Sequence, residues 1–197
     1  MRLRAVAAVA VLLLAAACGS DSPTEEPATD EPTSASPSAS EPAAEELVAA
    51  PGAIGPALAG MTVEEANATG LFEPREEVAD DPCKDENPPI QWKAPNTETL
   101  TVRVKGDTIS SLGVRDGVET AKGIGVGSTY GDVKAAYPDA KAEPSQALGS
   151  TVYRQDGDKW LGMGFDEDPD NVEDASKLLY MEVSVGEKPA TFLSGCG

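Results

Sequence analysis

Two short stretches 67 residues apart constrain the fold most: Gly60-Met61-Thr62-Val63-Glu64-Glu65-Ala66 and Gly127-Ser128-Thr129-Tyr130-Gly131-Asp132-Val133. Each places a glycine, then a threonine, then an acid three residues on. Thr62 with Glu65 is a capping-box pattern, and Thr129 with Asp132 is its shorter analogue, so each threonine starts a helix. Apolar positions follow at spacings of three and four: Val63, Ala66 and Gly70, then Tyr130, Val133 and Tyr137. That is one buried stripe per helix. Gly70 ends the first helix, and Pro138 disfavours helical geometry at Tyr137 and ends the second. Helices of about two turns do not stand alone in water, so both must pack on something.

The segments after each helix read as strands. In the first half "PIQWKA" precedes Leu100, Val102 and Val104, which alternate with Thr101, Arg103 and Lys105. Gly106-Asp107 then turns the chain toward Ile109. In the second half "STVYRQ" and "KWLGMGF" flank a turn at Asp156-Gly157-Asp158. After an acidic loop comes "KLLYMEVSVG", where Leu179, Met181, Val183 and Val185 alternate inward. Alternation with turn residues between the runs predicts antiparallel pairing. The expected fold class is α+β: two tandem units of one helix plus a three-stranded antiparallel sheet, in one compact domain spanning 51–197 (unit one 54–121, unit two 122–197).

The glycines at 123, 125, 127 and 131 invite a phosphate-loop reading. A phosphate loop needs a lysine after its last glycine, or a parallel strand–helix unit with an acid about 20 residues on. Neither pattern is present, so these glycines lead into a strand and make the tight turn before Thr129.

"GMTVEEA" and "VGSTYGDV" resemble the Gly-Met-Thr helix starts of the β-lactamase-inhibitor-protein-like fold and of small outer-membrane lipoproteins of the barrel-assembly-subunit type. The resemblance spans residues 54–197 in outline and rests on about seven positions per copy. It implies a non-enzymatic binding module whose sheet faces or loops contact other proteins. The chain departs from that pattern in Ser128, which stands for Met, and in having one cysteine per unit (Cys83, Cys196) where each unit would hold its own bridge.

The amino-terminal stretch is a targeting signal. Arg2 and Arg4 precede an apolar run over residues 5–17 that is too short to cross a hydrocarbon core of about 30 Å as a helix. Ala15, Ala16 and Ala17 then lead to Cys18, and this resembles a lipobox, with Leu14 one place earlier than leucine usually falls. The resemblance implies acylation at Cys18 (diacylglycerol, with palmitate-type chains), cleavage before it, and a chain held on the outer face of the cell membrane. The competing reading is an ordinary signal peptide cut after Ala17, which leaves a free secreted protein.

Beyond residue 17 the chain carries 34 acidic and 13 basic residues, a net charge of −21. Such a chain repels phosphate backbones, which excludes nucleic acid as a partner. Between Gly19 and Leu47 the chain is Ser, Thr, Pro, Ala, Asp and Glu, and residues 18–50 hold no Lys, Arg or aromatic. This composition cannot bury enough apolar surface to offset ordering, and it reads as a disordered tether. As a coil it would hold a domain some 30 Å from the membrane, and up to roughly 90 Å if fully extended as polyproline.

With Cys18 assigned to the anchor, Cys83 and Cys196 remain, and in an oxidising compartment they are expected to pair. The bridge would close a loop of 113 residues and stabilise the fold by about 4 to 5 kcal/mol on the chain-entropy view.

The chain contains no histidine, which removes Ser-His-Asp and Cys-His catalysis and most zinc sites. Asp166, Asp168 and Asp170 stand at alternate positions, as in a calcium loop. Asn171 occupies the place of the required glycine, however, and Lys177 that of the bidentate Glu. They are weak candidates, and the competing reading is a solvated loop. A carboxylate-pair glycosidase is chemically allowed, but most of the aromatics it would need as sugar platforms fall at core-facing positions. Asn67-Ala68-Thr69 matches a glycosylation sequon by chance, inside the first helix. No catalytic residue or cofactor is expected. The leading expectation is a lipid-anchored extracytoplasmic module that binds a protein or envelope partner. The alternatives are a small carboxylate hydrolase of envelope polymers and a calcium-binding structural protein.

Overall fold

The computed structural model describes residues 47–76 and 88–191; Cys18, Cys83, Cys196 and residues 18–46 of the expected tether lie outside them, while the last residues of that tether form a strand instead of a disordered spacer. Strands β1 (Val48–Ala50), β2 (Ala53–Ile54) and β3 (Ala57–Leu58) form a tight meander, so the fold begins just before the boundary drawn at residue 51. Then come α1 (Val63–Ala68) and the pair β4 (Phe72–Pro74) and β5 (Ile90–Trp92). The hairpin β6 (Leu100–Lys105) and β7 (Thr108–Val114) follows, with β8 (Glu119–Thr120) running parallel to β1. The chain ends through α2 (Tyr130–Ala136), β9 (Ala142–Pro144), β10 (Ser150–Asp156), β11 (Lys159–Phe165) and β12 (Tyr180–Val185).

These strands make three sheets: a four-stranded one (β3-β2-β1-β8), a six-stranded antiparallel one (β6-β7-β12-β11-β10-β9) and the β4-β5 pair. The expected α+β tandem of helix-plus-three-strand units is therefore overturned: the described chain is 41% strand and 10% helix, with two helices only.

Two physical reasons account for this. The helices are six and seven residues long and bury one side chain each, Ala66 and Val133, so they plug the core without forming a layer. In addition, β7 pairs directly with β12, Leu112 opposite Val183, which fuses the two halves into one sheet. The stretch expected to be a third strand beside β6 pairs instead with β4, Trp92 opposite Phe72. It is bounded by Pro88, Pro89 and Pro95, which have no backbone N–H to offer a longer ladder.

The helix starts are as the capping pattern requires. Thr62 accepts from the Glu65 N–H, and Glu65 accepts from the Thr62 N–H at 2.9 Å. Thr129 and Asp132 do the same, with the returning bond at 2.8 Å. Each start is also stitched to the foot of a central strand, by a Thr62–Thr108 bridge beside β7 and a Thr129–Lys177 bridge ahead of β12.

One face of the six-stranded sheet carries the core. Leu100, Val114, Met181, Met163 and Val152 lie in one register line, and Val102, Leu112, Val183 and Leu161 in the next, all buried. Leu179, expected inward, precedes β12 and is 37% exposed. Tyr180, Glu182 and Ser184, at the alternate positions of β12, are buried as well, so this strand is covered on both faces.

Candidate functional site

The second face of that sheet follows from register. Thr101, Gly113, Glu182, Gly162 and Tyr153 form one line across it, and Arg103, Ser111, Ser184, Trp160 and Gln155 form another. Glycines in strand interiors weaken pairing and mark a close approach. A Cβ on Gly113 would sit 1.7 Å from the Tyr180 hydroxyl, and one on Gly162 would sit 2.9 Å from Pro189 Cγ. The glycines thus let Tyr180 lie across the sheet and let residues 187–191 fold back over it.

This returning segment is held mostly by polar contacts. Ser184 Oγ donates to the Glu187 carbonyl at 2.6 Å, and Tyr153 Oη donates to the Pro189 carbonyl at 3.3 Å. The Thr191 hydroxyl, fully buried, lies 2.9 Å from that of Thr151 and 3.0 Å from that of Ser145. Lys188 Nζ reaches Glu143 at 2.6 Å and lies over the rings of Tyr153 and Trp160.

Between this strap and the β6-β7-β12 strands lies a groove of about 410 Å³, with Arg103, Lys105, Ser111, Glu182 and Glu187 among its lining residues. A bulge between Arg103 and Val104 shifts the β6-β7 register there, and Ser110 Oγ donates to the Arg103 carbonyl. Such irregularities re-aim side chains.

Glu182 is the unusual member. Its side chain is only 3% exposed, its Oε1 accepts from Ser111 Oγ at 2.5 Å, and Arg103 Nε stands 3.9 Å from the same oxygen. Its Oε2 has no hydrogen-bond partner among the described residues. Next to it, Tyr180 Oη is 2.8 Å from Thr101 Oγ1. Burial first, and the Glu182 carboxylate second, push the Tyr180 phenol up to about 12, so it stays a neutral hydroxyl. Burial also raises Tyr153.

Three other buried side-chain atoms lack partners: Ser150 Oγ, Trp160 Nε1 and Glu167 Oε2. None of the three belongs to a residue lining this groove. A second groove of about 460 Å³ runs along residues 116–126 and Leu47–Val48, and a third of about 320 Å³ lies between β5 and β6. Neither contains a buried unpartnered group.

The weak metal candidates Asp166, Asp168 and Asp170 sit in the loop after β11. There the Asp168 carbonyl accepts from Asn171 and Val172 in a local turn. Among the described residues no three acidic, Cys or His side chains come together in a way that could hold a metal. The groove residues went unnoticed in sequence because the pattern Leu179, Met181, Val183, Val185 assigns the alternate positions of β12 to solvent. The available signal was three glycines, at 113, 162 and 164, inside facing strands.

No protein-family model and no curated protein matches this chain. Among solved structures the chain is similar to an uncharacterized protein, yfeY, from Escherichia coli, at 15% identity and a TM-score of 0.40. That match covers 64% of this chain and 92% of that one.

Proposed function

We propose that this chain is a lipid-anchored extracytoplasmic binding module without a catalytic role, held on the outer face of the cell membrane through Cys18 and engaging a protein partner with the groove over Glu182. The observation that carries the reading is an open groove with Glu182 in its lining, a carboxylate that keeps a buried oxygen without a donor. Burying such a group unpaired costs about 1–3 kcal/mol or more, so each one in a native protein calls for an explanation. The lipobox-like segment and the acidic tether supply the anchor and the reach. A chain without histidine lacks the commonest general base.

Two measurements test this. Cells fed an alkyne fatty acid should label the wild-type protein and leave Cys18→Ala unlabelled; equal labelling of both removes the anchor. A photo-crosslinking residue at position 105, on the groove rim, should give a discrete adduct on intact cells that Glu182→Ala abolishes. Turnover of an envelope polymer, lost on changing a single Asp or Glu, would replace the binding module with a hydrolase.

A further inference from the structure

We infer that the outward face of the four-stranded sheet, over β1, β2 and β3, is a lipid-contacting facet that lies on the surface of the membrane holding the anchor. This rests on the anchor reading at Cys18 and adds an orientation to it. Residues 47–63 carry no ionisable side chain, the longest such run beyond the targeting segment in a chain otherwise rich in acids. Register divides them between two faces. Ala49, Ile54 and Ala57 form one line and are buried in the core. Ala50, Ala53 and Leu58 form the next line on the opposite face, with Ala50 and Leu58 exposed and Ala53 half-buried. The Leu58 N–H donates to Met61 Sδ at 3.5 Å, which sets that thioether beside it. Among the described residues three large apolar side chains are exposed, Val48 and Leu58 at 40% each and Leu179. Two of the three fall on this facet. Apolar residues scattered singly over a surface need no explanation, whereas a contiguous patch marks a contact.

What covers the facet follows from where the chain enters it. β1 is the first strand after the tether, so this is the part of the fold joined most directly to Cys18, through residues 19–46. A flexible segment of that length lets the facet reach the bilayer. The facet spans two strand spacings, about 10 Å, too small to hold a free protein on a membrane. An anchor makes the contact intramolecular, at an effective concentration on the order of millimolar for a short flexible linker, and a weak apolar contact is then populated. Charge fixes which side faces down. Glu119 on β8 is exposed and is the register partner of Val48, and Asp116 lines the groove on that side with it. These acids keep the β8 side off anionic head groups and leave the uncharged β1-β2-β3 side to meet the lipid.

The test uses the full mature chain, ¹⁵N-labelled and anchored one copy per phosphatidylcholine nanodisc that contains a lipid spin-labelled at its head group. The expected result is paramagnetic broadening concentrated on the amides of residues 48–61. The reference is the loop after β11, residues 166–172, because Gly52 bonds to the Trp160 carbonyl at the opposite end of that strand. Leu58→Glu takes away apolar area and places a charge on the facet, so the excess broadening should fall about tenfold or more. Leu58→Ala adds no charge, should lower it in the same direction, and guards against a folding defect in the glutamate variant. Broadening spread evenly over the domain would mean free tumbling on the tether and overturns the inference. So does contact that appears only when phosphatidylglycerol is added, which would be recognition of charge. A facet unbroadened at one copy per disc and protected at two copies belongs to a second copy, which also overturns it. A parallel Cys18→Ala sample, held by an amino-terminal His tag on nickel-chelating lipid, supplies the anchor chemically. If the wild-type cysteine proves unacylated while this sample keeps the broadening at residues 48–61, the natural anchor falls and the lipid-contacting facet stands.

Discussion

Tyr180 shows how one buried side chain ties the polar face together. Its ring crosses the space above Gly113, its hydroxyl meets Thr101, and the Glu182 carboxylate beside it discourages ionisation. A tyrosine in the unfolded chain ionises near pH 10, while this one holds its proton to about 12. Its contribution is therefore fully present below pH 10 and is lost as pH rises toward 12. Over that window the wild-type protein should lose roughly 2–3 kcal/mol from this group. Tyr180→Phe should cost about 1 kcal/mol at neutral pH through the missing hydrogen bond and then show a flatter decline above pH 10. Urea midpoints of both proteins at pH 8, 10 and 12 decide it; parallel curves would mean that the phenol is not protected. Gly113, the Ser111–Glu182 bond and the strap were not legible from their own letters. A serine and a glutamate in a strand carry no signal until the facing strands are known, and the strand glycines at 113, 162 and 164 say only that something approaches closely.

At the scale of elements, the two helices are the best-forecast parts of the molecule, because a capping box is a contact among residues three apart and needs no distant partner. α2 is tied to the segment ahead of β12: the Tyr130 N–H donates to the Ser176 carbonyl and the Gly131 N–H to the Asp174 carbonyl. Bonds from the Thr129 side chain first, and its backbone second, lower the Asp132 carboxyl below its ordinary value. The help that Asp132 gives is thus present above the usual carboxylate range and fades as pH falls through its folded value. Removing the cap in Thr62→Ala or Thr129→Ala should cost about 1 kcal/mol each, a drop of a few degrees in Tm. Thr129→Ala should additionally loosen residues 174–178 in hydrogen exchange, since α2 and that segment share backbone bonds. Equal exchange in both variants would show that the 174–178 segment is held without the helix. β6, β7, β10, β11 and β12 were legible as strands by their alternation, and β5 as a strand but in the wrong sheet; the two- and three-residue strands β1 to β4, β8 and β9 were not foreseen, being too short to show a period. A three-residue run bounded by prolines specifies extension without specifying a partner.

Across the whole molecule the decisive contact is β7 against β12, residues some 70 positions apart in the chain. Because this pairing makes one sheet of both halves, thermal unfolding should be a single transition with matching calorimetric and van't Hoff enthalpies, and residues 122–191 expressed alone should not fold. Two separable transitions, or an independently folded second half, would restore autonomous units. Near neighbours and composition are enough to specify the helix starts, the turns, the longer alternating strands and the acidic charge. The merging of the strands into one six-stranded sheet, and the cover on both faces of β12, depend on contacts far apart in the chain. So does the place of Glu182 in the lining of a groove. Sheet order is set by long-range pairing, and a side-chain alternation of two reads equally well for a strand at an edge or at the centre.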